Sequence, residues 1–237
     1  MRPSKSSIMT VVILLVLSFS YGVATVEYKV FPFDILLVIK QTFIEKTLSN
    51  DHSYYSHKKS LFEGYQHERY DVVFIGDSIT DMAEWENLFP ASKIANRGIS
   101  GDTTGGVLQR MSSILSTKAE YAFIMIGIND FNRGVNSNLV YINYEKIVKT
   151  LVANNMNVYV QSTILVGDEF RHLNSNIKFL NDKLQVLAKN TPLVTYIDLN
   201  KRLSPNGDVD KSNSTDGIHL NAKAYSIWRD AIQLYIP

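Results

Sequence analysis

Ser78 sits where a strand pattern stops. It follows Tyr70-Asp-Val-Val-Phe-Ile-Gly-Asp77 and precedes Ile79-Thr80. A serine at a strand-to-helix turn is exposed at the edge of a sheet. The helix N-terminus behind it supplies N–H groups and a positive dipole end that favour developing negative charge. That setting suits a nucleophile. It also suits a helix cap, a common job for serine, and taken alone Ser78 fits both.

A serine hydroxyl needs a base, and a base needs a group to orient it. The five histidines stand at 52, 57, 67, 172 and 219. Only His219 has a carboxylate three residues upstream in a turn-like setting, Asp216-Gly-Ile-His219. The plainer alternative is a surface histidine with Asp216 as a helix cap. A tetrahedral intermediate would need N–H donors. In Asn96-Arg-Gly-Ile-Ser-Gly-Asp-Thr-Thr104, glycines at 98 and 101 allow backbone conformations that expose such donors. An ordinary glycine turn remains open there, while a phosphate loop is disfavoured because neither the P-loop lysine pattern nor G-x-G-x-x-G is present. In Gly127-Ile-Asn129-Asp130 the Asn129 amide is a donor candidate, or simply a turn former. Metal chemistry is not expected: cysteine is absent and no histidine pair has ligand spacing. No cofactor is expected either.

These segments need a frame. Short apolar runs at 72–75, 121–126, 158–160 and 194–199 read as strands, with a weaker one at 93–95. Continuous runs of this kind suit strands covered on both faces of a parallel sheet. Helical periodicity falls at 104–116, 139–154, 173–189 and 222–235. The alternation argues a doubly wound α/β fold. In such folds ligands bind beyond the carboxyl ends of the strands, which is where three of the four segments lie; the fourth precedes the last helix.

The chain has 237 residues, 45 % of them apolar, and a formal net charge of +1. Near-neutral charge without a basic cluster argues against nucleic-acid partners. At the N-terminus, Arg2 and Lys5 precede an uncharged stretch to Val26 centred on Ile8-Met-Thr-Val-Val-Ile-Leu-Leu-Val-Leu17. This reads as a secretory signal cleaved after Ala24, or as an uncleaved membrane anchor. Either reading places the body of the protein outside the cytoplasm. The expected division is residues 1–26 as signal or anchor, 27–60 as an N-terminal helix (33–47) and polar connector (49–59), and 61–237 as the main domain.

Together the four blocks resemble the SGNH hydrolases, the GDSL-like lipases and esterases. Gly76-Asp-Ser78 matches the first block, with Ile79 in place of leucine. Gly101, Gly127-Ile-Asn129-Asp130 and Asp216-Gly-Ile-His219 match the others. The resemblance covers about residues 52–237. Asn96–Thr104 looks most like the branch of platelet-activating-factor acetylhydrolase catalytic subunits, and the α/β-hydrolase elbow G-x-S-x-G is missing. The resemblance implies a flavodoxin-like three-layer α/β/α sandwich around a mostly parallel, roughly five-stranded sheet. It also implies a Ser78-His219-Asp216 triad and an oxyanion hole from the N–H groups of Ser78 and Gly101 and the Asn129 amide. Asp77, Asn96, Asp102 and Asp130 are expected to shape turns. Short connections favour a small acyl group, acetyl first, on a sugar or lipid alcohol. Lysophospholipase or thioesterase activity, and a non-catalytic carbohydrate-binding module, are the rivals. Asn213-Ser-Thr215 has the form of a glycosylation acceptor and is taken as incidental.

Overall fold

The computed structural model describes residues 5–27, 53–64 and 69–237. The chain divides into two compact units, Met1–Leu48 and Ser49–Pro237. In the first, a helix α1 runs Lys5–Glu27 and exposes Ile13, Leu14, Leu15, Val16 and Leu17. Counted over the residues described, no helix is long and apolar enough to cross a membrane. The helix expected at 33–47 lies outside the described residues.

The second unit is built on five parallel strands in the order β2-β1-β3-β4-β5. They are β1 Val72–Gly76, β2 Ile94–Gly98, β3 Tyr121–Met125, β4 Asn157–Gln161 and β5 Val194–Ile197. The doubly wound α/β fold expected from the alternation is the fold found. Every residue of β1 is buried, as its unbroken Val-Val-Phe-Ile run requires.

Pleating sends successive side chains to opposite faces, and each face acquires its own core. Val73, Ile75, Ile124 and Val160 pack with Val107, Tyr144, Ile147 and Leu180. Phe74, Phe123 and Met125 pack with Ile79, Trp85 and Trp228. On that second face Phe74 stacks on Trp85 with ring centroids 3.7 Å apart, and Trp85 meets Trp228 edge-on at 5.1 Å. The chain leaves β1 for β2 on one side and then returns to β3 on the other. The switch point between these crossovers lies at the carboxyl end of β1, where α/β folds place ligands. Gly76 there is level with Gly98 of β2 and Met125 of β3, so the segments after these strands converge.

Two local expectations are corrected. The helix expected over 104–116 breaks at Arg110, whose backbone is non-helical, giving α5 Thr104–Gln109 and α6 Met111–Leu115. Arg110 is 1 % exposed, and its Nε donates to Asp102 at 2.8 Å. Part of the expected polar connector is helical: α2 spans Ser53–Gly64. Tertiary contacts hold it, because Phe62 is buried with the Arg97 guanidinium 4.6 Å from its ring centre. Between β1 and β2 lie two short helices, α3 Ser78–Asp81 and α4 Trp85–Leu88.

Candidate active site

Ser78 is the first residue of α3, and Asp77 is its cap: Asp77 Oδ1 accepts the Ile79 N–H at 3.1 Å. The capping role that a lone serine invites is therefore filled by its neighbour. The Ser78 hydroxyl instead lies 2.9 Å from His219 Nε2. The residues around it are braced from several sides. Tyr225 Oη donates to Ile79 O at 2.7 Å and Trp85 Nε1 to Thr80 O at 3.0 Å. The Asn96 amide reaches the carbonyls of Thr80 and Asp81, at 3.2 and 3.1 Å.

His219 is oriented by Asp216. Its Nδ1 lies 2.7 Å from Asp216 Oδ2, while Asp216 Oδ1 accepts the N–H groups of Ile218 and His219 at 3.0 and 2.7 Å. A carboxylate at Nδ1 favours the proton there and leaves the Nε2 lone pair facing Ser78. Partial burial works to raise the Asp216 pKa, but the bonds from the His219 ring and the two backbone amides outweigh it and hold the carboxyl below its ordinary range. Ser214 steadies the turn from behind, donating to His219 O at 2.8 Å and accepting the Gly217 N–H at 2.8 Å.

Gly101 lies in the turn that follows β2, and Asn129 in the short helix α7, Ile128–Asn132, that follows β3. Gly101 has φ +79°, in the left-handed region where glycine carries no penalty. Around it, Ser100 N–H donates to Asp81, Asp102 N–H to Ile99 O, and Arg133 Nη2 to Gly101 O at 2.7 Å. Among the described residues the Gly101 N–H has no acceptor within the fold. Asn129 Nδ2 donates one hydrogen to Asp102 O at 2.9 Å, which fixes the amide; its second hydrogen has no acceptor among the described residues.

Asp77, Asn96, Asp102 and Asp130, expected to shape turns, also tie separate segments together or sit in the interior. Asp130 accepts from Thr104 N and Thr104 Oγ1 at 2.9 and 2.6 Å, tying the third block to the second. Asp102 pairs with Arg110 in the interior. Asp77 is 1 % exposed, and burial pushes its pKa up to about 7; the Ile79 amide opposes the shift and the nearby Asp102 and Asp130 charges add to it. Asn213 of the glycosylation pattern is 4 % exposed, which closes it to a glycan in the folded chain. Arg133, Asp81 and Tyr225 were not singled out from the sequence. Their types are ordinary in helices and turns, and only tertiary proximity marks them.

The profile of the GDSL-like Lipase/Acylhydrolase family matches residues 74–227, from within β1 into the helix Ala222–Ile232. The chain belongs to that family. A GDSL-like chain with this sheet order also has curated relatives and solved neighbours. It is 26 % identical over 66 % of its length to the chicken (Gallus gallus) platelet-activating factor acetylhydrolase IB subunit alpha2, covering 71 % of that protein. It is 22 % identical over 86 % of its length to N-acylneuraminate cytidylyltransferase of Streptococcus agalactiae, of which it spans 47 %. The GDSL-like chain thus spans about half of that longer relative. Among solved structures, one from Streptococcus pneumoniae described as a platelet activating factor aligns with TM-score 0.73 at 23 % identity, over 84 % of this chain and 99 % of the other. An acetylxylan esterase of Geobacillus stearothermophilus aligns with TM-score 0.59 at 18 % identity, over 71 % and 94 %.

Proposed function

We propose that the chain is a serine esterase that hydrolyses short-acyl, acetyl-type esters of a sugar or lipid. Ser78 Oγ attacks the ester carbonyl while His219 Nε2 takes its proton. His219 then returns a proton to the leaving alcohol, and water deacylates the serine by the reverse route. Asp216 keeps the imidazole in the tautomer this needs and stabilises its cation. The negative charge of the tetrahedral intermediate is met by the N–H groups of Ser78 and Gly101 and the second hydrogen of the Asn129 amide.

The observation that carries this reading is the 2.9 Å approach of Ser78 Oγ to His219 Nε2, with Asp216 bound to the far side of the ring. A serine that merely capped α3 would not need that partner. Support for a small acyl group comes from the acetyl-ester names carried by relatives on this fold.

The deciding experiment is an ester panel from acetyl to long-chain acyl, on p-nitrophenol, acetylated sugars and lysophospholipids. Fastest turnover on acetyl esters is expected; activity confined to long chains would overturn the short-acyl assignment. We further infer export or membrane attachment from the basic residues and apolar helix at the N-terminus. Mass spectrometry of the mature N-terminus tests it: a start just after Ala24 marks a cleaved signal, and an intact Met1 in the membrane fraction marks an anchor. An intact chain in the cytosolic fraction overturns both.

A further inference from the structure

Asp81 takes no part in the proton transfers described above, yet it gathers more partners than any residue that does. Its Oδ2 accepts the Ser100 N–H at 3.1 Å and the Ser100 hydroxyl at 2.9 Å. The same oxygen accepts the Tyr54 hydroxyl at 2.7 Å, and Lys58 Nζ stands 2.8 Å from Oδ1. The side chain is only 4 % exposed. Tyr54 and Lys58 lie one turn apart on α2, so both reach from the same face of that helix. Burial, together with the Asp81 charge and hydrogen bond, raises the Tyr54 pKa to about 12, so its hydroxyl keeps the proton it donates.

The position of Asp81 gives these contacts meaning. It ends the helical turn that Ser78 begins, and its backbone runs against β2 so closely that a Cβ on Gly98 would lie 2.3 Å from Asp81 N. Ser100, which it grips, is bonded in the chain to Gly101. The direction of the Gly101 N–H is set by the peptide plane joining these two residues. Asp81 anchors the preceding plane through the Ser100 N–H and also holds the Ser100 hydroxyl, and Arg133 anchors the following plane through Gly101 O, so the plane between them is held from both ends. A donor held in this way needs no reorganisation when negative charge develops.

We propose that α2 belongs to the catalytic apparatus. Tyr54 and Lys58 hold Asp81, Asp81 holds Ser100, and Ser100 aims the Gly101 N–H at the oxyanion. Asp81 is the positioning residue of this chain of contacts, which rests on the esterase reading above. The bland alternative is that the cluster only fastens α2 to the domain. Buried ion pairs are weak evidence for stability, and the two roles separate kinetically. Loss of aim lowers kcat and leaves substrate binding alone, whereas loss of fastening lowers the melting temperature without a selective effect on kcat.

The test uses the full chain and p-nitrophenyl acetate. Asp81→Ala should lower kcat by about 10-fold to 10²-fold, the scale on which a misplaced group costs rate, with KM little changed. Asp81→Asn keeps one acceptor for the Ser100 N–H and should recover part of the loss. Tyr54→Phe and Lys58→Met should each lower kcat by a smaller factor. Lys59→Met, on the same helix but paired only with exposed Glu63, should match wild type. Inhibition by a boronic acid, which mimics the tetrahedral adduct, should weaken in step with kcat/KM across the series, while competitive inhibition by acetate stays constant. Unchanged kcat in a folded Asp81→Ala chain overturns the proposal, as does a rise in KM with kcat intact. If Asp81→Ala does not fold, unchanged kcat in both Tyr54→Phe and Lys58→Met overturns it instead. Ser78→Ala separates the two readings. If that variant is inert while the Asp81 series matches wild type, only the positioning role fails. If it is as active as wild type, the esterase reading fails and takes the positioning role with it.

Discussion

Asp77 Oδ1 accepts the Ile79 N–H at 3.1 Å, and this one bond separates the structural from the chemical task at the end of β1. The helix turn is capped by the aspartate, and the serine beside it is released to face His219. Adjacent residues of similar capping propensity thereby take different work. Asp77 turns to the backbone of Ile79, while Ser78, itself only 8 % exposed, turns its hydroxyl to His219.

Replacing the proposed nucleophile or base should abolish turnover. Ser78→Ala and His219→Ala are each expected to lower kcat by at least about 10³-fold on p-nitrophenyl acetate, with the double variant no worse than the single ones, because the two act as a unit. An organophosphonate probe should label wild type and leave Ser78→Ala unlabelled. Full activity in either single variant would remove the pair from the mechanism.

In the proposed mechanism Asn129→Ala removes a donor to the oxyanion. Its expected loss is about 10²–10³ in kcat, with a much smaller effect on KM. The reverse pattern would place Asn129 in ground-state binding. Because the same amide also holds Asp102 O, a melting curve should accompany the kinetics.

Asp216→Asn should leave the fold intact and cost less than the ~10⁴-fold found where a buried triad aspartate is replaced by its amide. The Asp216 side chain is half exposed, at 50 %, so water supplies part of the stabilisation that a buried carboxylate would give alone. Loss of kcat with unchanged KM is the expected reading of steady-state assays. A variant as fast as wild type would show that the imidazole needs no orienting group.

Asp77→Asn isolates the cost of burying a charge. With its pKa raised to about 7 from 3.8, the folded chain holds a proton on Asp77 at pH values where the unfolded chain has released it. The stability associated with that proton is fully present below pH ~4 and is lost as pH rises through ~7. The asparagine keeps the acceptor for the Ile79 N–H and has no charge to bury. Its melting temperature relative to wild type should therefore climb between pH 5 and pH 8, by an amount on the order of a few kcal/mol in stability. A difference flat with pH would mean that Asp77 titrates normally.

The sheet and the four segments that carry the candidate site were legible in the chain itself. Val72–Ile75 and Tyr121–Ile126 are short apolar runs of the kind that suits strands covered on both faces, and burial marked these central strands. Ser78, Gly101, Asn129, Asp216 and His219 carry side chains or conformations whose chemistry follows from their type. Tertiary structure decided the rest, because the deciding contacts cross long stretches of sequence. The Ser78–His219 bond joins residues 141 positions apart. Arg110 breaks a helix that its neighbours would continue, since the pull of a buried carboxylate outweighs local propensity. Tyr54 and Lys58 sit in a polar segment with no apolar stripe. Nothing in that pattern distinguishes a solvated connector from a helix gripping Asp81, because the attraction exists only once β1 and β2 have brought Asp81 and Ser100 together.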